Sequence, residues 1–152
     1  MRVYASLIAI TGLSLGCGNS VLGTRDGLQL SVTVGRPVIS VGDSTIATIS
    51  LQNISAVPIT VTTGGCLMLP YITAEATGEV VYPSGGHWFC VAVLRSLSLG
   101  PGAKTNQQLV VYGADLTRPS RPQLARGDYS VYATLQSSEF PLRSAPVTLT
   151  VR

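Results

Sequence analysis

Short runs of alternating apolar and polar residues, each closed by Gly, Pro, Asn or Asp, dominate this sequence of 152 residues. LQLSVTV (28–34) places Leu28, Leu30, Val32 and Val34 on one side, and STIATISLQN (44–53) alternates in the same way. A period of two directs successive side chains to opposite faces, so each run predicts a strand with one buried face. The further runs are VPITVTT, CLMLPYITAEA, EVVYP, WFCVAVLR, TNQQLVVYG, DYSVYATLQ and APVTLTVR. About eight or nine strands at this spacing, without a competing helical stripe, predict an all-β sandwich or barrel.

Two local features favour a sandwich. LSLGPGAKTNQQLVV predicts a strand, a Gly-Pro-Gly turn and a neighbouring edge strand. In LARGDYSVYATL, Tyr129 follows a Gly-Asp turn at the start of a strand, which resembles the tyrosine corner of immunoglobulin-like domains. We therefore expect residues 28–152 to form an immunoglobulin-like Greek-key β-sandwich.

The first 16 residues, MRVYASLIAITGLSLG, have the layout of a secretory signal peptide: a charge at Arg2, an apolar stretch and small residues before a cysteine. The apolar stretch is shorter than the roughly 18 residues that a membrane span needs. Ser14-Leu15-Gly16 before Cys17 resembles a bacterial lipobox, with Ser14 where Leu is usual, and it also suits ordinary signal peptidase. We expect Cys17 to carry the lipid and residues 17–27 to form a flexible tether. The alternative is a secreted soluble protein.

The other two cysteines, Cys66 and Cys90, lie in strand-like segments of a chain with an export leader. An oxidising compartment favours a disulfide between them, which leaves Cys17 without an intramolecular partner. Closing a loop of about 25 residues stabilises the fold by roughly 3.5 kcal/mol in the chain-entropy treatment. Zinc is the rival interpretation, but two cysteines and a single histidine are too few ligands. We predict no metal and no cofactor.

The single histidine, His87, follows Gly85 and Gly86 and precedes Trp88. A catalytic histidine needs a nucleophile or acid near it, and the scattered carboxylates form no triad or paired spacing, so an enzyme is not expected. These four residues belong to a candidate binding loop, YPSGGHW (82–88). The competing interpretation buries Trp88 in the core.

The basic residues are few and dispersed. Charged residues make up 11% of the chain, and the formal net charge is +3. The densest basic segment places Arg118, Arg121 and Arg126 among prolines, which is typical of a solvated loop, so a nucleic-acid partner is not expected. Arg126-Gly127-Asp128 and Asn53-Ile54-Ser55 match adhesion and glycosylation patterns, but both are better explained as turn residues.

Several pieces between Ile46 and Leu135 together resemble the intracellular proteinase inhibitor (BsuPI-type) domain. They are a strand ending in Asn53-x-Ser55, a Val/Thr strand entering a Gly-containing bend, Gly78 in a turn before VVYPS, Leu99-Gly-Pro-Gly, and Gly127-x-Tyr129. The resemblance implies a β-sandwich that binds a serine proteinase. We expect an exported, membrane-tethered, non-enzymatic binding domain of the cell envelope. The alternative is an accessory envelope lipoprotein that acts through strand edges or loops.

Overall fold

The computed structural model describes residues 23–113 and 122–152, which contain thirteen strands and one short 3-10 turn. The predicted leader, the predicted lipidation site Cys17, most of the predicted tether, Arg118 and Arg121 lie outside the described residues. Eight of the strands are five residues or longer, in line with the expected number. The strands are β1 (Gly23–Arg25), β2 (Leu28–Val34), β3 (Val38–Ile39), β4 (Ser44–Asn53), β5 (Ile59–Thr63), β6 (Met68–Ala74), β7 (Val80–Tyr82), β8 (Arg95–Leu99), β9 (Lys104–Gly113), β10 (Gln123–Leu124), β11 (Gly127–Leu135), β12 (Leu142–Arg143) and β13 (Val147–Val151).

The strands form two main sheets and one additional ladder. The first sheet has the order β1-β2-β4-β9-β10, and the second has the order β3-β13-β11-β6-β7 with β12 paired to β11. β5 and β8 pair only with each other. Most neighbours within a sheet are not consecutive in the chain, so the connections cross repeatedly from one sheet to the other. This pairing is that of an all-β, immunoglobulin-like β-sandwich, as expected.

The core lies between the sheets and follows the alternation in the sequence. In β4 the buried face carries Thr45, Ala47, Ile49 and Leu51, the face that the sequence pattern predicts. The three apolar side chains, Ala47, Ile49 and Leu51, belong to one cluster that spans both sheets and the β5–β8 ladder. Its other members include Leu28, Leu30, Val61, Ile72, Leu99, Val111, Val131, Ala133 and Leu149. Burial of this apolar surface is the main force that holds the sheets together.

Asn53 connects the β4–β9 ladder to the β5–β8 ladder. Its backbone bonds to Ala103 and Gly102, while its side-chain Nδ2 donates to the carbonyls of Val57 and Leu99 at 2.8 and 2.9 Å. The Gly-Pro-Gly turn therefore does not join neighbouring strands, as the sequence suggested, because β8 pairs with β5 and β9 pairs with β4. Asn53 serves the turn, and its complete burial leaves no amide available to a glycan.

The tyrosine corner predicted from the sequence is present. The Tyr129 hydroxyl donates to the Ala125 carbonyl at 2.9 Å, across the connection that enters β11. Asp128 of the Arg-Gly-Asp motif accepts a hydrogen bond from Thr150 Oγ1 at 2.6 Å. The motif therefore builds the start of a strand rather than the tip of a loop.

One predicted strand is wrong. WFCVAVLR was expected to be a strand, but residues 88–94 are irregular and β8 begins at Arg95. For the same reason Cys90 lies outside any strand, and Cys66 lies in the connection between β5 and β6. Both cysteines are therefore in connections between the sheets, at one end of the sandwich.

Candidate binding loop at the disulfide end

Residues 87–94, here called the apical loop, cross between the sheets at one end of the sandwich. The end is defined by paired strand termini: Thr63 of β5 opposite Arg95 of β8, and Met68 of β6 opposite Leu135 of β11. The apical loop leaves the 3-10 turn Ser84–Gly86 with an extended backbone at His87 and enters β8. Three independent contacts attach it to the body of the domain.

The first contact depends on Pro70, in the middle of β6. Proline lacks an N–H, so it cannot complete a ladder hydrogen bond to a strand beside it. Ala133, the residue of β11 opposite Pro70, bonds to Ser144 instead: its N–H donates to Ser144 Oγ, and its carbonyl accepts from the Ser144 N–H. On the outer side the β6–β7 pairing ends at Tyr82, and the Pro70 carbonyl accepts a hydrogen bond from Trp88 Nε1 at 3.1 Å.

Trp88 also packs edge-on against Tyr82, with ring centroids 5.3 Å apart and an interplanar angle of 85°. Burial raises the pKa of the Tyr82 phenol above its ordinary value. Trp88 is thus a half-buried anchor rather than an exposed loop tip. Trp88 is not a member of the core cluster, so the structure differs from the interpretation that buries it in the core.

The second contact is the disulfide between Cys66 and Cys90, whose Cα atoms are 5.5 Å apart. This is the pairing that the sequence predicts. Because Cys66 and Cys90 lie in separate connections between the sheets, the bond ties one connection to the other.

The third contact is a close approach of two backbones. The Gly65 N–H donates to the Val91 carbonyl at 3.1 Å. A Cβ at residue 65 would lie 2.4 Å from Val91 Cγ2 and 2.5 Å from the Val91 oxygen. Only glycine allows the apical loop to lie this close to the 64–67 connection.

Phe89 lies between two of these anchors and projects into solvent. Its side chain is 97% exposed, whereas the residue before it is held by Pro70 and the residue after it by Cys66. Val91, Val93 and Leu94 are also exposed, at 64%, 49% and 81%. Large apolar side chains grouped in this way on a surface are typical of an interaction site.

The four residues of the candidate binding loop have different surroundings. Gly85 and Gly86 have positive φ angles of 74° and 75° and form the turn before the loop, His87 is exposed, and Trp88 faces the domain. Phe89 was missed because the apolar run around it was interpreted as a strand. The residue that could have indicated this is Pro70, because a proline within a predicted strand cannot donate a ladder hydrogen bond to the strand beside it.

Two grooves lie near the end of the apical loop that enters β8. One, of about 450 Å³, is lined by Leu94 together with Thr62, Gly64, Leu69 and Leu135. The other, of about 240 Å³, is lined by Gly65, Leu67 and the start of β8 and contains no residue of the apical loop.

Within residues 23–113 and 122–152, no group of three or more His, Cys, Asp or Glu side chains could hold a metal ion. Two of the carboxylates are hydrogen-bonded to serines: Asp43 accepts from the Ser40 N–H, and Glu75 accepts from Ser130 Oγ of β11. In the same part of the chain, no helix is long and apolar enough to cross a membrane.

No family model and no curated protein matches this sequence. Among solved structures, the chain is similar to the alkylpurine DNA glycosylase AlkC of Pseudomonas fluorescens (18% identity, TM-score 0.48, 83% of this chain and 30% of that one). It is also similar to the CARDB domain of the PF1109 protein of Pyrococcus furiosus (14%, 0.47, 86% and 90%) and to the sporulation control protein Spo0M of Bacillus subtilis (9%, 0.48, 83% and 49%). The chain spans under a third of the glycosylase, and likenesses at this level assign neither a site nor an activity.

Proposed function

We propose that this protein is a non-enzymatic binding domain that presents the apical loop to a protein partner. The observation that carries the proposal is Phe89, fully exposed between two residues that are fixed to the domain. A large apolar side chain left in water is costly unless a partner covers it. Holding its neighbours in place reduces the conformational entropy that is lost when the loop binds.

The partner class that fits is a serine proteinase, as the resemblance to the BsuPI-type inhibitor domain implies. An inhibitor must fill the substrate cleft of its target, and a protruding loop on a braced base has the required convex shape. The tight turn in which the Val93 N–H donates to the Val91 carbonyl at 2.8 Å keeps the segment after Phe89 compact.

We further propose that the domain acts outside the cytoplasm, tethered to the membrane of the cell envelope through a lipid on Cys17. The Cys66–Cys90 disulfide supports export, because such bonds persist in oxidising compartments. The residues between Cys17 and β1 would supply the tether, and the apical loop would then face the periplasm or the exterior.

Inhibition can be tested with the oxidised protein against a panel of serine proteinases that differ in their specificity pockets. We expect inhibition of at least one of them at or below micromolar protein. The double variant Cys66→Ala/Cys90→Ala is the matched control, since it removes the brace and leaves Phe89 in place. If the oxidised protein inhibits no member of the panel, the inhibitor function is wrong.

A second candidate function is an accessory envelope protein that binds another chain by strand addition, and β9 favours it. Among the described residues, β9 pairs along its length with β4 but on its other side only at Tyr112 and Gly113. Such an open edge offers backbone hydrogen bonds to an incoming strand. A photoreactive residue in place of Asn106, on the open part of β9, should then crosslink a partner in the envelope, and one in place of Phe89 should not.

A further inference from the structure

The apical loop displays its apolar side chains in two groups. Phe89 stands alone at the tip, because Trp88 and Cys90 on either side are turned to the domain. Val91, Val93 and Leu94, here called the apolar shelf, follow in the chain and are also exposed, and Leu94 lines a groove. A single aromatic side chain that the disulfide and the Trp88 contact set apart from this shelf fits a pocket of one-residue width better than a flat surface.

The charge of the apical loop indicates whether it binds a protein pocket or a lipid surface. Residues 88–94 carry no charged side chain, and Arg95 is the one basic residue that directly follows. Segments that lie on anionic membranes combine their apolar side chains with several Lys or Arg residues. The segment around Phe89 lacks that combination, whereas the hydrophobic specificity slot of chymotrypsin accepts a large apolar side chain.

We propose that Phe89 is the specificity-determining residue of the protein, and that it occupies the apolar pocket of a chymotrypsin-type proteinase. This inference rests on the proposed inhibitor function and adds the class of target. Trp88 and Cys90 act as positioning residues that fix the backbone on either side of Phe89. Leu94 lies on the shelf and makes a secondary contact at the rim.

The test compares inhibition of chymotrypsin, which has an apolar pocket, with inhibition of trypsin, which has an acidic one. The oxidised wild-type protein should inhibit chymotrypsin more strongly. Phe89→Ala should weaken that inhibition at least about 30-fold, as expected for a central interface residue. Phe89→Arg should transfer inhibition from chymotrypsin to trypsin. Leu94→Ala removes another exposed apolar side chain of the same loop and should weaken inhibition less than about fivefold.

The possible failures are distinguishable. Inhibition that survives Phe89→Ala unchanged overturns the role of Phe89 and leaves the inhibitor function standing. Inhibition of neither enzyme nor any other panel member by the wild-type protein overturns the inhibitor function itself. Binding to phosphatidylglycerol vesicles that Phe89→Ala abolishes, without inhibition, replaces the proteinase with a membrane and contradicts the proposal. Circular dichroism of each variant verifies that the sandwich is folded.

Discussion

Asn53 is fully buried, yet every polar atom of its side chain is hydrogen-bonded. Nδ2 donates to Val57 and Leu99, and Oδ1 accepts from the N–H and Oγ of Ser55. Buried polar groups are stable only when they are paired in this way. The side-chain hydrogen bonds of Asn53 thereby connect the β4–β9 ladder to the β5–β8 ladder, which do not pair with each other through backbone groups.

We predict that Asn53→Ala lowers the free energy of unfolding by about 3 kcal/mol. The substitution removes the side-chain donor to the buried Leu99 carbonyl and the acceptor for the N–H and Oγ of Ser55. Asn106→Ala is the control: this residue is exposed and makes a single side-chain bond, to Ser50 Oγ, so its loss should cost less than about 0.5 kcal/mol. Urea unfolding of both variants measures the difference. Equal stability of the two variants would contradict the role assigned to Asn53.

The Tyr129 hydroxyl couples stability to alkaline pH. Burial raises the pKa of this phenol above its unfolded value, so the folded state keeps its proton where the unfolded state loses it. This contribution is fully present below pH about 10 and is lost as the pH rises toward the folded-state pKa. Tyr129→Phe should cost about 1 kcal/mol at neutral pH and should flatten the decline of stability above pH about 10. Urea unfolding at neutral and alkaline pH tests this, and an unchanged alkaline slope would refute it.

The position of the apical loop depends on the absence of a side chain at Gly65, which lets the loop backbone approach the 64–67 connection. We predict that Gly65→Ala destabilises the protein by about 1–3 kcal/mol, because the new methyl group collides with Val91. Gly64→Ala is a matched control one residue away, where a Cβ meets nothing within 4 Å. Thermal unfolding compares the two, and limited proteolysis should show faster cleavage after Phe89 only in Gly65→Ala. Similar behaviour of both variants would mean that this contact does not hold the loop.

The strands whose bounds the sequence predicts best, β2 and β4, have a buried residue at almost every second position. The boundaries of β2 and β4 follow directly from their alternation, since both faces of each strand are decided by its own residues. The segment 88–94 is different, because its conformation is decided by Pro70 in another strand and by a disulfide. Local patterns do not contain such long-range constraints, so the anchored and exposed positions within the loop could not be predicted.

In the whole molecule we propose two functional parts, which are the apical loop at the disulfide end of the sandwich and a lipid anchor at Cys17. The candidate site was predictable in part: the cysteine pair and the region around Trp88 were found, whereas Phe89 required knowledge of which neighbours face the domain. The tyrosine corner was predictable because its geometry is local, with donor and acceptor four residues apart.

Mass spectrometry of the N-terminus of the protein isolated from envelopes tests the anchor. We expect a peptide that begins at Cys17 with diacylglycerol on the thiol and that shifts in mass when Cys17→Ser removes the acceptor. A processed chain that begins at or after Cys17 without lipid would contradict tethering and would favour the secreted alternative.

Binding of a proteinase through the apical loop can be tested most directly by amide hydrogen exchange of the oxidised protein, alone and with excess chymotrypsin whose catalytic serine is replaced by alanine. We expect the proteinase to protect residues 87–94 from exchange and to leave exchange at the open edge of β9 unchanged. Protection of β9 without the apical loop, or no protection anywhere, would contradict binding through the apical loop.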